Sequence, residues 1–165
     1  ADVDGNRDRR AENALHDRSH RLDEAARRIE QADLQPEFLT FFRKAIQARR
    51  FRKGKMFAHL GPVPSADVCV LVADFFMRVE TVTWSIVSGI CDEQLVVILR
   101  NDGIRKNAGK VAKESFGQFG SAGGHKNMAR AEIALSDLSG QVDWRDGKKL
   151  LPWLINRVEK RAGKK

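Results

Sequence analysis

Apolar positions recur along this chain with two different periods, which predicts a fold that contains both helices and strands. Helical spacing predicts helices over residues 8–32, 36–48, 68–79, 106–116 and 150–161. Strands are predicted at 56–60, 81–90, 94–100 and 128–135, and the second of these is rich in β-branched residues. The reversal at Asp92 and Glu93 makes one strand pair antiparallel. This order predicts an α/β fold with a mixed β-sheet and flanking helices, preceded by two N-terminal helices and closed by a C-terminal helix.

Local signals refine the ends and faces of these elements. Asp67 is predicted to cap the helix that begins at Val68. The helix over 106–116 is predicted to turn these residues towards the core: Ile104, Ala108, Val111, Ala112, Ser115 and Phe119. A basic segment that ends at Gly54 marks the predicted boundary between a helical segment, 1–54, and a second domain, 55–165.

Charge is unevenly distributed and strongly basic. The formal net charge is +8, with seven basic and one acidic residue in 34–65 and six basic and two acidic residues in 101–130. Such blocks are typical of proteins that bind polyanions, and a solvated surface is the alternative. No apolar run reaches the roughly 20 residues that a membrane-spanning helix needs. Cys69 and Cys91 lack metal-ligand spacing, so we expect reduced thiols in a cytoplasmic protein.

The most informative segment runs from Phe116 to Ile133. Gly120, Gly123 and Gly124 fall within five residues, and His125 follows directly. Glycine allows a backbone to approach a ligand closely, and successive N–H groups in a turn can bind an anion. An adjacent histidine adds a side-chain donor. The segment therefore predicts a phosphate-binding loop.

The same residues carry a resemblance to a known family. A strand over 95–99 is followed by Arg100, an amphipathic helix and the glycine–histidine segment, and this order resembles the DHH-associated C-terminal domain. That domain accompanies a catalytic DHH domain in RecJ-like exonucleases and in oligoribonuclease/pAp phosphatases, and a version of it ends many alanyl-tRNA synthetases. The resemblance covers roughly residues 56–134. In this chain Ala122 stands where the family usually has the first glycine of a triplet, and Arg130 stands where a small residue is common.

The resemblance implies substrate-binding residues and no catalytic residue in this chain. The implied binding set is Arg100, Asn101, Gly120, Ser121, Ala122, Gly123, Gly124, His125 and Lys126. The DHH motif is absent from the sequence, and the chain begins at Ala1 rather than Met. We therefore expect a fragment in which 1–54 is a linker or the tail of a missing catalytic domain. That domain would hold manganese, whereas this chain would hold neither a metal nor another cofactor.

Single residues leave alternatives open. Arg100 favours a ligand contact, with an ion pair to a neighbour such as Asp102 as the alternative. His59 is predicted to be a core or edge histidine. The lysine stripe formed by Lys106, Lys110 and Lys113 is interpreted first as a solvated face, and second as a track for a phosphate backbone.

Two further motifs are weak. His16 and His20 have the i, i+4 spacing of a zinc protease, but Asp17 replaces the glutamate and no third ligand is evident. The segment from Gly103 to Lys110 imitates a P-loop with one residue too many, and Val111 replaces the Ser or Thr that would bind magnesium. Neither predicts a site.

The leading functional hypothesis is a domain that binds a nucleic acid, short oligonucleotide or nucleotide for a DHH-type phosphoesterase. Its partners would be that ligand and its own catalytic DHH domain, with a homodimer possible through the apolar residues Phe38, Phe41 and Phe42. The alternatives are a tRNA-binding or nucleotide-sensing module without hydrolase activity, and a structural interaction domain whose loop is merely a turn.

Overall fold

The computed structural model describes residues 34–162, and within them five helices pack on one six-stranded sheet. The helices are α1 (Phe38–Ala48), α2 (Ala66–Phe76), α3 (Ala108–Phe116), α4 (Leu135–Leu138) and α5 (Gly147–Ala162). The strands are β1 (Arg50–Arg52), β2 (Lys55–Pro62), β3 (Trp84–Cys91), β4 (Gln94–Asn101), β5 (Ser121–Gly124) and β6 (Met128–Ala134). The predicted helix over 8–32, which includes His16 and His20, lies outside the described residues.

The sheet has the strand order β1-β2-β3-β4-β6-β5, which places β5 at one edge and β1 at the other. Only β2 and β3 run parallel, with α2 as their crossover; the other neighbouring pairs are antiparallel. Asp92 and Glu93 connect β3 to β4 with φ values of 50° and 59°. Positive φ at both central residues is the feature of a type I′ turn, whose twist matches that of the flanking strands. The predicted mixed α/β fold is confirmed.

Alternating side chains of the central strands supply two cores, one on each face of the sheet. Leu95, Val97 and Leu99 of β4 face α3 and α5, together with Phe57 and Phe116. Val96 and Ile98 of the same strand face α2, in the second core. Because both faces are covered at β3 and β4, these strands contain nearly continuous apolar runs.

Three local predictions are corrected. The glycine segment is predicted as a loop, but Ser121–Gly124 is a strand that pairs with β6. Ser65, rather than Asp67, occupies the N-cap position of α2, and Asp67 lies in the first turn. Ile104 is 75% exposed, because it lies in the connection that precedes α3 and not on the helix.

Residues 36–162 form part of one compact unit, in which α1 and β1 pack with β2. The division of the chain at residue 54 into the tail of another domain and a substrate-binding domain stays a prediction. No helix within residues 34–162 has the length and apolarity to cross a membrane.

Candidate phosphate-binding site at the glycine strand

The glycines of this segment differ in whether a side chain would fit at their positions. A Cβ atom on Gly120 would lie 2.2 Å from the carbonyl oxygen of Glu132, and one on Gly124 would lie 2.3 Å from the carbonyl oxygen of Met128. Both glycines are therefore required by the pairing of β5 with β6. A Cβ on Gly123 would meet nothing within 4 Å. Packing within the described residues gives no steric reason for glycine at position 123.

The turn between β5 and β6 is fixed to the beginning of α3. The backbone N–H of Ala108 donates to the carbonyl oxygen of Lys126 at 2.8 Å, and that of Gly109 donates to His125 at 2.9 Å. Asn107 caps the same helix, because its side chain accepts from the N–H of Lys110 at 3.0 Å. These first-turn donors are already occupied, so the start of α3 does not offer the open N–H groups of a P-loop.

Strand register places several side chains of interest on one face of the sheet. Arg100 of β4 pairs with Met128 of β6, and the N–H of His125 donates to the carbonyl oxygen of Met128 at 2.7 Å. The β5–β6 register, continued by one residue, therefore puts His125, Met128 and Arg100 in one cross-strand row. Gly123 and Arg130 form the adjacent row.

This face is open to solvent at its β5 end. Met128, Arg130 and His125 are exposed, whereas α2 packs on β3 and β4. Arg130 forms an ion pair with Glu132, the next residue on the same face of β6. The result is a shallow polar surface that combines a glycine strand with two exposed donor side chains, His125 and Arg130.

Arg100 has a protein partner. Its Nε lies 2.8 Å from Oδ1 of Asp74, and its Nη2 donates to Oδ2 of the same carboxylate at 3.2 Å. This two-point contact agrees with the ion pair considered from the sequence, but its carboxylate comes from α2 rather than from Asp102. The Asp74 side chain is 38% exposed, so the pair remains accessible to water and ions.

Asn101 organises the approach to α3. Its Nδ2 donates to the carbonyl oxygen of Lys106 at 2.7 Å, and its Oδ1 accepts from the N–H of Gly103 at 2.8 Å. The residue is buried, on the face of β4 opposite Arg100. Both ends of its amide are thus engaged within the protein, and its geometry is that of a positioning residue.

The remaining residues of the implied set differ in accessibility. Ser121 and Lys126 are exposed, and Ala122 packs partly against the core that faces α3. Lys110 and Lys113 lie on α3, with Lys110 Nζ 4.0 Å from Oε1 of Glu114, whereas Lys106 precedes the helix. The lysine stripe is therefore split between a loop and a helix.

Within residues 34–162, no three His, Cys, Asp or Glu side chains are grouped so that they could hold a metal ion. Burial raises the pKa of the Cys69 thiol to about 12, so this cysteine is a protonated core residue. Manganese in a separate catalytic domain stays a prediction.

The chain is similar in sequence to a curated protein and in fold to several solved structures. No family model matches the chain. An uncharacterized protein, MJ1633 of Methanocaldococcus jannaschii, is 30% identical over 108 residues, which are 65% of this chain and 22% of that protein. The chain thus spans about a fifth of the length of this curated relative.

Among solved structures, an exopolyphosphatase-related protein from Bacteroides fragilis aligns with a TM-score of 0.59 at 14% identity, over 84% of this chain and 38% of that one. A pGpG-specific phosphodiesterase from Vibrio cholerae aligns with a TM-score of 0.48 at 14% identity, over 74% and 38% of the two chains. RecJ from Thermus thermophilus aligns with a TM-score of 0.45 at 18% identity, over 90% of this chain and 20% of that one. At the level of the fold, the first of these structures confirms the resemblance predicted from the sequence.

The binding set implied by the sequence did not include two residues of this surface. Asp74, which binds Arg100, lies 26 positions earlier in the chain, and nothing in the sequence connects the two. Arg130 could have been included, because its side chain alternates along β6 with the buried side chains of Ala129 and Ala131 and therefore lies on the other face of the strand.

Proposed function

We propose that this chain binds a phosphate group of a nucleotide or of a nucleic-acid terminus on the open face of β5. In this proposal it is the substrate-binding domain of a DHH-type phosphoesterase, and a separate domain performs the hydrolysis. The supporting observation is Gly123, since the space beside this glycine is open and adjoins exposed donor side chains.

The chemistry of an edge strand suits this role. A strand at the edge of a sheet has backbone N–H and C=O groups without a partner in the sheet. Without a side chain at Gly123, an anion can approach that backbone directly. His125 and Arg130 flank the opening and supply charged or polar donors, which bind phosphate oxygens more strongly than neutral donors do.

Arg100 fits the same proposal as a second donor. It lies one strand beyond Met128 in the row of His125, about 10 Å from it at the usual spacing between strands. A phosphate there would compete with Asp74 for the guanidinium. The proposal therefore keeps Arg100 as a binding residue, with its ion pair as the state without ligand.

The alternative from a different class is a tRNA-binding or nucleotide-sensing module without hydrolase activity. It uses the same surface and differs in the ligand and in the absence of a catalytic partner. The full-length protein discriminates between the two: manganese-dependent hydrolysis of short oligonucleotides supports the phosphoesterase, whereas tight binding of tRNA without hydrolysis supports the alternative.

Gly123→Val tests the site directly. The added side chain enters open space, so we expect normal thermal melting but at least tenfold weaker binding of a mononucleotide and a dinucleotide. Gly140→Val is the matched control, because a Cβ there also meets nothing within 4 Å and the residue lies beyond α4. If Gly123→Val melts normally and binds as tightly as the parent, the face of β5 is not the ligand site.

A further inference from the structure

A second groove lies at the opposite edge of the sheet. Two depressions, of about 610 and 980 Å³, meet around His59 and share Gln47, Ala48 and Gly147 in their walls. The end of α1 and strand β1 form one wall, and the start of α5 forms the other. Together they make one continuous groove, here called the His59 groove.

The lining of the His59 groove is basic. Its charged residues are Lys44, Arg49, Arg50, Arg52, Arg145 and Lys148, against the single carboxylate of Asp146. Asp146 accepts from the backbone N–H of Lys148 at 2.9 Å, which caps α5. Among the six cations, Arg52 is the one with a carboxylate partner in the described part of the chain, Glu159 at 3.5 Å. The positive charge of the groove is therefore largely uncompensated by residues 34–162.

Aromatic side chains are interleaved with this charge. Phe51 lines one depression and is 50% exposed, on the face of β1 opposite the side chains of Arg50 and Arg52, and Trp144 lines the other, half-buried against the core. The guanidinium of Arg145 stacks over the Trp144 ring at 4.2 Å from its centroid. Basic grooves with accessible aromatic rings are typical of proteins that bind single strands, because unpaired bases stack on the rings while the cations contact the backbone. The bases of a duplex are stacked on one another and cannot stack on the rings, and an acidic peptide would contact the cations without using the rings.

His59 contributes polarity rather than charge. Its Nδ1 lies within hydrogen-bond distance of the Ser88 hydroxyl, at 2.8 Å. Burial lowers the pKa of His59 to about 4, so the ring is neutral at pH 7. Salt-dependent binding in the groove would therefore come from the arginine and lysine side chains.

We propose that the His59 groove binds single-stranded nucleic acid at a site separate from the glycine strand. The groove lies at the β1 edge and the glycine strand lies at the β5 edge, five strand spacings apart. At about 4.8 Å per spacing, the separation is about 24 Å. A mononucleotide can occupy one site at a time, whereas a longer strand can follow the groove.

The test compares matched pairs of substitutions by fluorescence anisotropy with a labelled 12-residue oligothymidylate. Arg50→Ala/Lys148→Ala removes two cations from the groove. We expect at least tenfold weaker binding at low salt and a log–log salt slope reduced by about 1.4, since each lost phosphate contact contributes roughly 0.7 for single strands. The control Arg78→Ala/Lys160→Ala removes two exposed cations outside the groove and is expected to leave both quantities nearly unchanged.

Two further measurements make the result specific. Phe51→Ala should weaken oligothymidylate binding without changing the salt slope, as loss of stacking would. The groove double variant should bind a mononucleotide as the parent does, so failure of the groove and failure of the glycine site are distinguishable. An equal loss in the control double variant, or competition by polyglutamate as effective as that by unlabelled oligothymidylate, would overturn the proposal; thermal melting verifies the fold of each variant.

Discussion

Gly109 and Gly124 meet backbone to backbone: a Cβ on Gly109 would lie 2.5 Å from the carbonyl oxygen of Gly124. Gly109 lies in the first turn of α3, and Gly124 ends β5. The hydrogen bond from Gly109 N–H to the carbonyl oxygen of His125 crosses the same contact. The first turn of the helix therefore contacts the end of the glycine strand through main-chain atoms.

This contact predicts that Gly109→Ala lowers the free energy of unfolding, which is opposite to the usual effect of this substitution in a helix. In an ordinary helix the change would stabilise by about 1 kcal/mol. Here the methyl group must displace Gly124, and we expect a loss of about 1–3 kcal/mol in the free energy of unfolding, measured by urea denaturation. Gly140→Ala is the control and should be neutral or slightly stabilising, since its methyl group meets nothing within 4 Å. A more stable Gly109→Ala protein would show that α3 and β5 do not touch.

The Arg100–Asp74 pair predicts opposite effects on binding. Arg100→Ala should weaken mononucleotide binding about tenfold or more, because a charged hydrogen-bond donor is lost. Asp74→Asn removes the competing carboxylate charge and should tighten binding several-fold. Each substitution should change the free energy of unfolding by less than about 1 kcal/mol, because the pair is partly exposed. Unchanged binding in both variants, measured by calorimetry, would make the pair purely structural.

Burial of His59 predicts a pH dependence of stability. Its pKa is about 4 in the folded protein, against an ordinary value of 6.5. As pH falls below 6.5 the unfolded chain takes up the proton first, so stability falls between about pH 6.5 and 4 and is restored as pH rises. We expect His59 to account for about 1–3 kcal/mol across this window.

The measurement is urea denaturation at several pH values between 4 and 7. His59→Gln should show a flatter dependence than the parent. Identical pH profiles for the parent and His59→Gln would contradict the burial of this ring.

The β3–β4 turn predicts a stabilising substitution. Asp92 and Glu93 both hold positive φ, which asparagine and glycine adopt more readily. Asp92→Asn/Glu93→Gly should raise the free energy of unfolding by about 0.5–1 kcal/mol. Asp92→Ala/Glu93→Ala should lower it, because alanine resists the left-handed region. Thermal melting measures both double variants. If Asp92→Ala/Glu93→Ala were the more stable of the two, the positive φ values of this turn would be contradicted.

The elements that sequence predicts well here are those with a local cause. The hairpin of β3 and β4 follows from β-branched residues on both sides of Asp92 and Glu93, and α3 follows from its apolar period. Strand β5 has no such cause, since glycine has low strand propensity. It exists because Gly120 and Gly124 permit close pairing with β6, a tertiary effect that periodicity does not record.

The same reasoning applies to the candidate site. The glycine cluster, His125 and Arg100 stand out by residue type and position. Their arrangement depends on strand order, because β6 lies between β4 and β5 and sets the spacing between His125 and Arg100. The charge that engages Arg100 comes from α2, and a contact between such distant positions is established only by the fold.

The strands at the two edges of the sheet are its shortest: β1 has three residues and β5 has four. A long exposed edge templates the addition of strands from other molecules and leads to aggregation. An edge of three or four residues offers an incoming strand few hydrogen bonds, yet a phosphate needs only one or two. A strand as short as β5 would offer enough backbone hydrogen bonds for a small anion, but too few for stable pairing with a strand of another polypeptide.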